Sequence, residues 1–333
     1  MAWGRDGSFS LIRQYGYLRA RGYNNRRLVV TRILKLTKEK VTYMLKKLSN
    51  RVYYMPHVSE TDRPALGLIC GDNMSVIVDS GNSPAHAKDF LHLVGQMDIA
   101  PVKFVVITHW HWDHIFGMQT MGLLSISHDQ TKEKIEYLKT LNWDDASLDS
   151  RVATGEEIEF CSEMIKREMP VRDHLVLKAP DITFNDKIEL DLGGVTFIVE
   201  HVGGVHAPDS SIVYVPEDKI MFLGDCIYQD FYSGEWSYHL DELTILLNKI
   251  KKYDADYYVT GHQDPKTHAE MWVFLDELTH IGEIVDQEVS LDQAVARFHE
   301  VQKIMPNEEQ LGYIQNFVAG NQKRALRHNG SFN

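Results

Sequence analysis

Residues 108–114 read THWHWDH, directly after the apolar run VKFVVI at 102–107. That run has the β-branched and aromatic content of a buried strand. A chain that ends a buried strand in His109, His111, Asp113 and His114 is tightly constrained. In extended backbone, residues two apart point the same way, so His109 and His111 reach toward one point in space. Asp113 and His114 follow where the chain leaves the strand, and a turn there aims them at a second point nearby. Neutral imidazole and carboxylate are the ligands that borderline divalent metals prefer. With 16 histidines in 333 residues, a lone His near a strand end would be an ordinary hydrogen-bonded side chain. Three of them with an aspartate in so short a stretch point to a metal site.

The surrounding chain alternates strand and helix. RVYYM at 51–55, LGLIC at 66–70 and MSVIVDSG at 74–81 read as strands, the last ending in Asp79 and a Ser-Gly turn. Residues 85–97 have helical character, FGMQTMG after the histidines opens another helix, and LLSIS at 123–127 is a further strand. This alternation predicts an α/β layered fold. Residues 129–170 interrupt it with an acidic, helix-prone stretch in which Thr154, three residues before Glu157, reads as a helix N-cap. The stretch is expected to be an insertion that covers the metal cleft. Strands resume with KIELDLGGVTFIVE at 187–200, a hairpin about its Gly-Gly turn, followed by SSIVYV, KIMFLGD and ADYYVTGH. HLDELTILLNKIKKY has helical apolar spacing, and the chain is helical beyond about residue 268.

Three later segments carry more candidate ligands at strand-to-loop junctions, where α/β proteins build sites. GGVHAPDSS puts His206 on a Gly-rich loop, KIMFLGDCIY puts Asp225 at the end of an apolar strand, and YYVTGHQDP puts His262 just past another. The order H-x-H-x-D-H, Gly-rich His, Gly-Asp, Gly-His resembles the metallo-β-lactamase superfamily of hydrolases over roughly residues 50–268, and VDSG at 78–81 matches a turn of that family. The resemblance implies an αββα sandwich, here with a helical insertion at 129–170 and a helical C-terminal extension at 269–333 of one domain that starts at residue 44. It implies one metal on His109, His111 and His206 and a second on Asp113, His114 and His262, with Asp225 bridging and Asp79 behind the ligands. Two divalent ions, zinc first and iron or manganese as alternatives, would lower the pKa of a shared water and polarise a substrate oxygen. Asp113 would also handle the water's proton. Cys226 is expected to point away from the metals, because neighbours on a strand alternate.

Departures within the family narrow the substrate. Zinc β-lactamases of the best-known type carry Cys at the positions of His114 and Asp225, and often Lys where this chain has Tyr228, so antibiotic hydrolysis is not expected. No basic cluster of the kind that binds glutathione in glyoxalase II-like thioesterases stands near the C-terminus. The spacing from Asp225 to Tyr228 resembles N-acyl-homoserine lactonases, in which a tyrosine so placed assists the carbonyl; a hydroxyl there can donate to a developing oxyanion. The expectation is a hydrolase of ester-like carbonyls in lactones, thioesters or esters. A mononuclear iron, persulfide dioxygenase-like oxidoreductase and a phosphodiesterase are the alternatives.

Charge bears on partners. Residues 1–43 hold ten Lys and Arg against Asp6 and Glu39, a net +8, and with −12 for the whole chain the remainder carries −20. A body so acidic repels nucleic acid, so a small-molecule substrate is expected. No apolar run approaches the roughly 20 residues of a membrane span, and Cys70, Cys161 and Cys226 are odd in number and far apart, as suits a reducing compartment. A cytoplasmic protein is expected, with a homodimer surface on the helical segments. The basic segment 1–43 reads as an arm or appendage that contributes little to folding or turnover. Its Arg26-Arg27 faintly resembles a twin-arginine signal, but Arg32 and Lys35 interrupt the apolar stretch that follows. The reading preferred is that the native chain begins at Met44.

Overall fold

The computed structural model describes residues 44–329. The expectations for residues 1–43 lie outside them. The described chain forms two sheets stacked face to face with helices on both outer faces, the αββα arrangement expected. The first sheet runs in sequence order: β1 (Lys46–Lys47), β2 (Val52–Met55), β3 (Leu66–Cys70), β4 (Ser75–Val78), β5 (Val102–Val106), β6 (Leu124–His128) and β7 (Ile182–Phe184). β1 to β4 form an antiparallel meander, and β4 to β7 are parallel. The first parallel crossover is α1 (Pro84–Val94). Ser83 caps it by accepting the His86 N–H at 3.0 Å, and Pro84 stands in its first turn.

The second sheet has the order β13-β12-β11-β10-β9-β8, built from β8 (Lys187–Asp191), β9 (Thr196–His201), β10 (Ser211–Val215), β11 (Ile220–Gly224), β12 (Tyr257–Thr260) and β13 (Lys266–Thr267). β8 and β9 are the expected Gly-Gly hairpin. Between the sheets, Val76, Val78 and Val106 share one buried cluster with Val199, Val213 and Phe222. Alternation along each strand sends the other side chains outward, where helices cover them.

On the outer face of the first sheet lie α1 and the insertion, α4 (Asp129–Leu138), α5 (Asp145–Thr154) and α6 (Glu159–Glu168), which follow the short helices α2 (Trp112–Ile115) and α3 (Met118–Met121). The cap expected at Thr154 is not there. Thr154 ends α5, its hydroxyl donating to the Arg151 carbonyl at 3.1 Å, and Gly155 at φ +77° closes that helix. A glycine able to enter the left-handed region makes a C-cap that competes with starting a new helix at Thr154. Ile158 precedes α6 instead, with no side-chain cap of its own.

On the outer face of the second sheet, α7 (Leu240–Ile250), α8 (His268–Val285), α9 (Leu291–Gln302) and α10 (Glu308–Asn329) share a single cluster. Leu246, Met271, Phe298 and Phe317 all belong to it, so the C-terminal helices extend the domain's core. Among the described residues no helix is long and apolar enough to cross a membrane.

Candidate metal centre

The two sheets are tied at one edge by backbone bonds. The Ser211 N–H donates to the Thr108 carbonyl at 2.8 Å, and the Ala65 N–H to the Gly261 carbonyl at 2.7 Å. The candidate ligands emerge at this edge. β5 ends at Val106, and His109 and His111 sit on the extended segment beyond it. Asp113 and His114 fall in α2, one short turn that re-aims them. His206 rides the loop between β9 and β10, Asp225 the turn after β11, and His262 the loop after β12.

Two glycines permit this convergence. Gly224 has φ +51°, and a Cβ there would lie 2.6 Å from Thr108 Oγ1. A Cβ at Gly261 would lie 2.1 Å from the Asp225 carboxylate, so any other residue would push Asp225 or His262 away.

All seven side chains meet, in two groups. His109, His111 and His206 offer donor atoms within 4.8 Å of one another, as do Asp113, His114, Asp225 and His262. Asp225 Oδ2 joins the groups, lying 3.6 Å from His206 Nε2, 3.4 Å from His114 Nε2 and 3.3 Å from His262 Nε2. Asp113 Oδ2 is 3.0 Å from His262 Nε2 and 3.1 Å from His114 Nε2. Two ligands of one tetrahedral ion at 2.0–2.1 Å stand about 3.3 Å apart, so these separations suit metal ligation.

The atoms behind the ligands set the tautomers. The His206 Nδ1–H donates to the Gln229 carbonyl at 3.0 Å, which leaves Nε2 bare. The Thr108 hydroxyl donates to Asp79, so at 3.1 Å its oxygen accepts from His109 Nδ1. The His114 Nδ1–H donates to Asp79 Oδ2 at 2.8 Å, and His262 Nδ1 stands 3.3 Å from Asp62 Oδ1. Partners of this kind orient metal-binding imidazoles and raise their basicity. Correspondingly, Nε2 of His109, His111 and His206 is buried with no hydrogen-bond partner, and His114 Nε2 meets only the Asp113 and Asp225 carboxylates. Imidazole nitrogens and carboxylates turned on one another in this way fit divalent metal ions.

Charge follows the same division. Burial, then neighbouring imidazoles, pull His109 and His111 well below the usual histidine range, and burial lowers His206 against the pull of Asp225. Burial also lowers His114 and His262, but Asp113, Asp79 and Asp225 around the first, and Asp225, Asp62 and Asp113 around the second, outweigh it and raise both. Asp113 and Asp225 resist burial through those two imidazoles and are held far below the ordinary carboxylate range. Asp62 is pushed up to about 7, by burial first.

Tyr228 lines the same space. Burial, then Asp225, keeps its phenol protonated, and its oxygen accepts the His262 backbone N–H at 3.4 Å. That contact uses a lone pair and leaves the O–H as a donor. Cys226 packs into the apolar cluster of the second sheet. It faces away as expected, though for another reason: Asp225 already lies past the end of β11, so a turn and not strand alternation separates the two.

A cavity of about 530 Å³ opens over the ligands. Its floor includes Asp62, His111, Asp113, His206, Asp225, Tyr228 and His262. Its walls come from Ile158, Phe160 and Cys161 of the insertion, Phe231, Tyr232 and Trp236 of the loop after Tyr228, and Leu311, Gly312 and Tyr313 of α10. The insertion and the C-terminal helices therefore border the cleft. No Lys or Arg lines it among the described residues.

The model of the metallo-beta-lactamase superfamily matches residues 65–262. The chain belongs to this superfamily. It is 24% identical over 237 residues to the metallo-beta-lactamase type 2 of Bacteroides fragilis, covering 66% of this chain and 78% of that protein. It is also 24% identical over 224 residues to the linear primary-alkylsulfatase of Pseudomonas sp. (strain ATCC 19151), covering 59% of this chain but only 40% of the relative's length. Equal identity to a lactamase and a sulfatase singles out no branch within the family. The fold also matches the structure of a double mutant of the sec-alkyl sulfatase PisA1, with a TM-score of 0.60 and 13% identity over 87% of this chain and 51% of that one.

Four features had escaped the sequence. Asp62, the Thr108 hydroxyl and the Gln229 carbonyl support ligands from behind, and the TDRP segment that carries Asp62 has no periodicity to mark it. Asp209, three residues after His206, is buried with Oδ2 accepting from Thr131 at 2.7 Å, and only its place in the Gly-rich His motif hinted at it.

Proposed function

We propose that the protein is a metal-dependent hydrolase of neutral ester-like carbonyl compounds: lactones, esters or thioesters. The observation that carries this reading is the cavity, which joins a His/Asp ligand set to apolar and aromatic walls without a cationic side chain among the described residues. Divalent ions on those ligands would supply hydroxide at neutral pH and polarise a carbonyl oxygen. Asp113, set between His114 and His262, would orient the attacking water and receive its proton. Tyr228 keeps its proton and donates a hydrogen bond to the carbonyl oxygen as negative charge grows there. The walls exclude water and hold the acyl part.

Sulfate ester hydrolysis is a second reading, favoured by the alkylsulfatase relative. The reacting group there is an anion, and with no Lys or Arg in the wall only the metal charge would hold it. The test is a panel of lactones, esters, thioesters, alkyl sulfates, β-lactams and phosphodiesters on metal-reconstituted protein, with metal analysis alongside. The expected result is turnover of neutral carbonyl substrates by protein carrying two divalent ions per chain. Turnover confined to alkyl sulfates, or a single iron with oxygen consumption, would overturn the carbonyl reading.

A further inference from the structure

The ligand groups fix where the reacting end of a substrate sits, and the cavity continues from there to two elements outside the stretch matched by the superfamily's motifs or inserted within it. Ile158 just before α6 and Leu311 and Tyr313 on α10 line it. The polar ends of the wall's tyrosines are already engaged. Tyr313 donates to Glu309 at 2.8 Å, and the Tyr232 hydroxyl meets Cys161 Sγ at 3.4 Å. Ile158, Leu311 and the ring of Tyr313 present hydrocarbon to the cavity, beside the uncharged amides of Gln315 and Asn316 on the same helix. An anionic tail would find Glu308 at this wall and no Lys or Arg among the described residues. The volume of about 530 Å³ leaves room beyond a small acyl group, within the range of roughly 300–1,000 Å³ that holds drug-sized ligands.

We propose that the wall formed by Ile158, just before α6, and Leu311 and Tyr313 on the C-terminal helix is a subsite for an uncharged hydrocarbon tail, and that these two elements set the length of tail accepted. The proposal rests on the reacting end lying at the metal ligands, as in the function above. Its recognition chemistry is common to the acyl chain of a carboxylic ester and the alkyl chain of a sulfate ester.

The test uses the metal-loaded full chain and a probe that is not turned over. Binding of methyl ketones from about four to about twelve carbons is measured by calorimetry. Affinity is expected to rise about fourfold for each methylene, the fold-change equivalent to ~0.8 kcal/mol per buried CH₂, up to a break where the subsite is full. Ile158→Trp and Leu311→Trp should move that break to shorter ketones, and Ile158→Ala and Leu311→Ala to longer ones. A folding defect would weaken all lengths alike and could not produce opposite shifts. Affinity independent of length in the unaltered protein, or a break that none of the four variants moves, would overturn the proposal. Ester and alkyl sulfate series of the same lengths separate it from the functional reading. Length-dependent ketone binding with turnover of sulfates alone keeps the tail subsite and removes the carbonyl chemistry. Ester turnover without any length dependence does the reverse.

Discussion

At the scale of single residues, Asp113 and Tyr228 stand beside the same histidine but carry different loads. Asp113 lies against His114 and His262 and is both a candidate ligand and the acceptor of the water's proton. Asp113→Ala should lower turnover by several orders of magnitude, because ligand charge and nucleophile position go together. Tyr228→Phe removes one donor and should lower kcat about 10²-fold with little change in KM. Steady-state kinetics of both variants on the best substrate checks this, and an unchanged kcat for Tyr228→Phe would leave the residue as cavity wall. Asp209 supplies a pH test on a carboxylate outside the ligand set. Burial, against the hydrogen bond from Thr131, lifts its pKa from 3.8 to about 6, and Oδ1 has no partner. Above pH 4 the unfolded chain releases this proton while the folded one keeps it, so the contribution of Asp209 to stability falls as pH rises from about 4 to about 6 and is level beyond. Asp209→Asn mimics the protonated form. Relative to the variant, the native protein should lose on the order of 3 kcal/mol across that window, read from denaturant melts at each pH. The seven candidate ligands were legible because each is a chemically distinctive side chain at the end of an apolar run. The groups behind them were not, since a backbone carbonyl or a threonine hydroxyl acquires its role only from what folds against it.

Among elements, one buried guanidinium adds a charged tie to the apolar packing that holds α6 on the body. Arg63 pairs with Asp89 of α1 at 2.9 Å and with Glu168 at the end of α6 at 2.7 Å, and Ser83 donates to the same Glu168 oxygen at 2.6 Å. Removing the cation strands a carboxylate whose side chain is 4% exposed. Arg63→Met should therefore cost about 3–5 kcal/mol of stability. It should also speed proteolysis within 129–170 ahead of global unfolding, and disturb Asp62, the next residue, behind His262. Limited proteolysis with mass mapping checks the order of cleavage. Most strands were legible in the sequence, LGLIC to the residue, because a strand buried on both faces is a continuous apolar run. The start of α6 was not. A Thr-x-x-Glu pattern specifies a cap only where the backbone before it is extended, and Gly155 had already committed that stretch to ending α5. The alternation of strand and helix gave the layered class, while the packing of α8 to α10 onto the outer face of the second sheet depends on contacts distant in sequence.

For the whole molecule, the ligands' distribution matters more than their number. His109, His111, Asp113 and His114 hang from the first sheet, and His206, Asp225 and His262 from the second. Each candidate ligand group draws on both sheets, so ions bound there cross-link the sandwich at one edge. Without ions, that edge depends on a few backbone bonds such as Ser211 to Thr108, and on buried carboxylates held by imidazoles that must carry protons to pair with them. Ions that bind only the folded chain stabilise it by about 4 kcal/mol when present at 1,000 times their dissociation constant. At roughly 2–4 °C per kcal/mol for a domain near this size, stripping one tightly held ion should lower Tm by about 10 °C, and stripping two by more. Calorimetry of chelated and reloaded protein measures the shift. Hydrogen exchange locates it, with lost protection expected first in the loops after β5, β9, β11 and β12 and not in the apolar layer between the sheets. A chelated protein with unchanged Tm and unchanged exchange in those loops would mean that the two sheets hold this edge together without metal, and the ligand set would then lose its structural half.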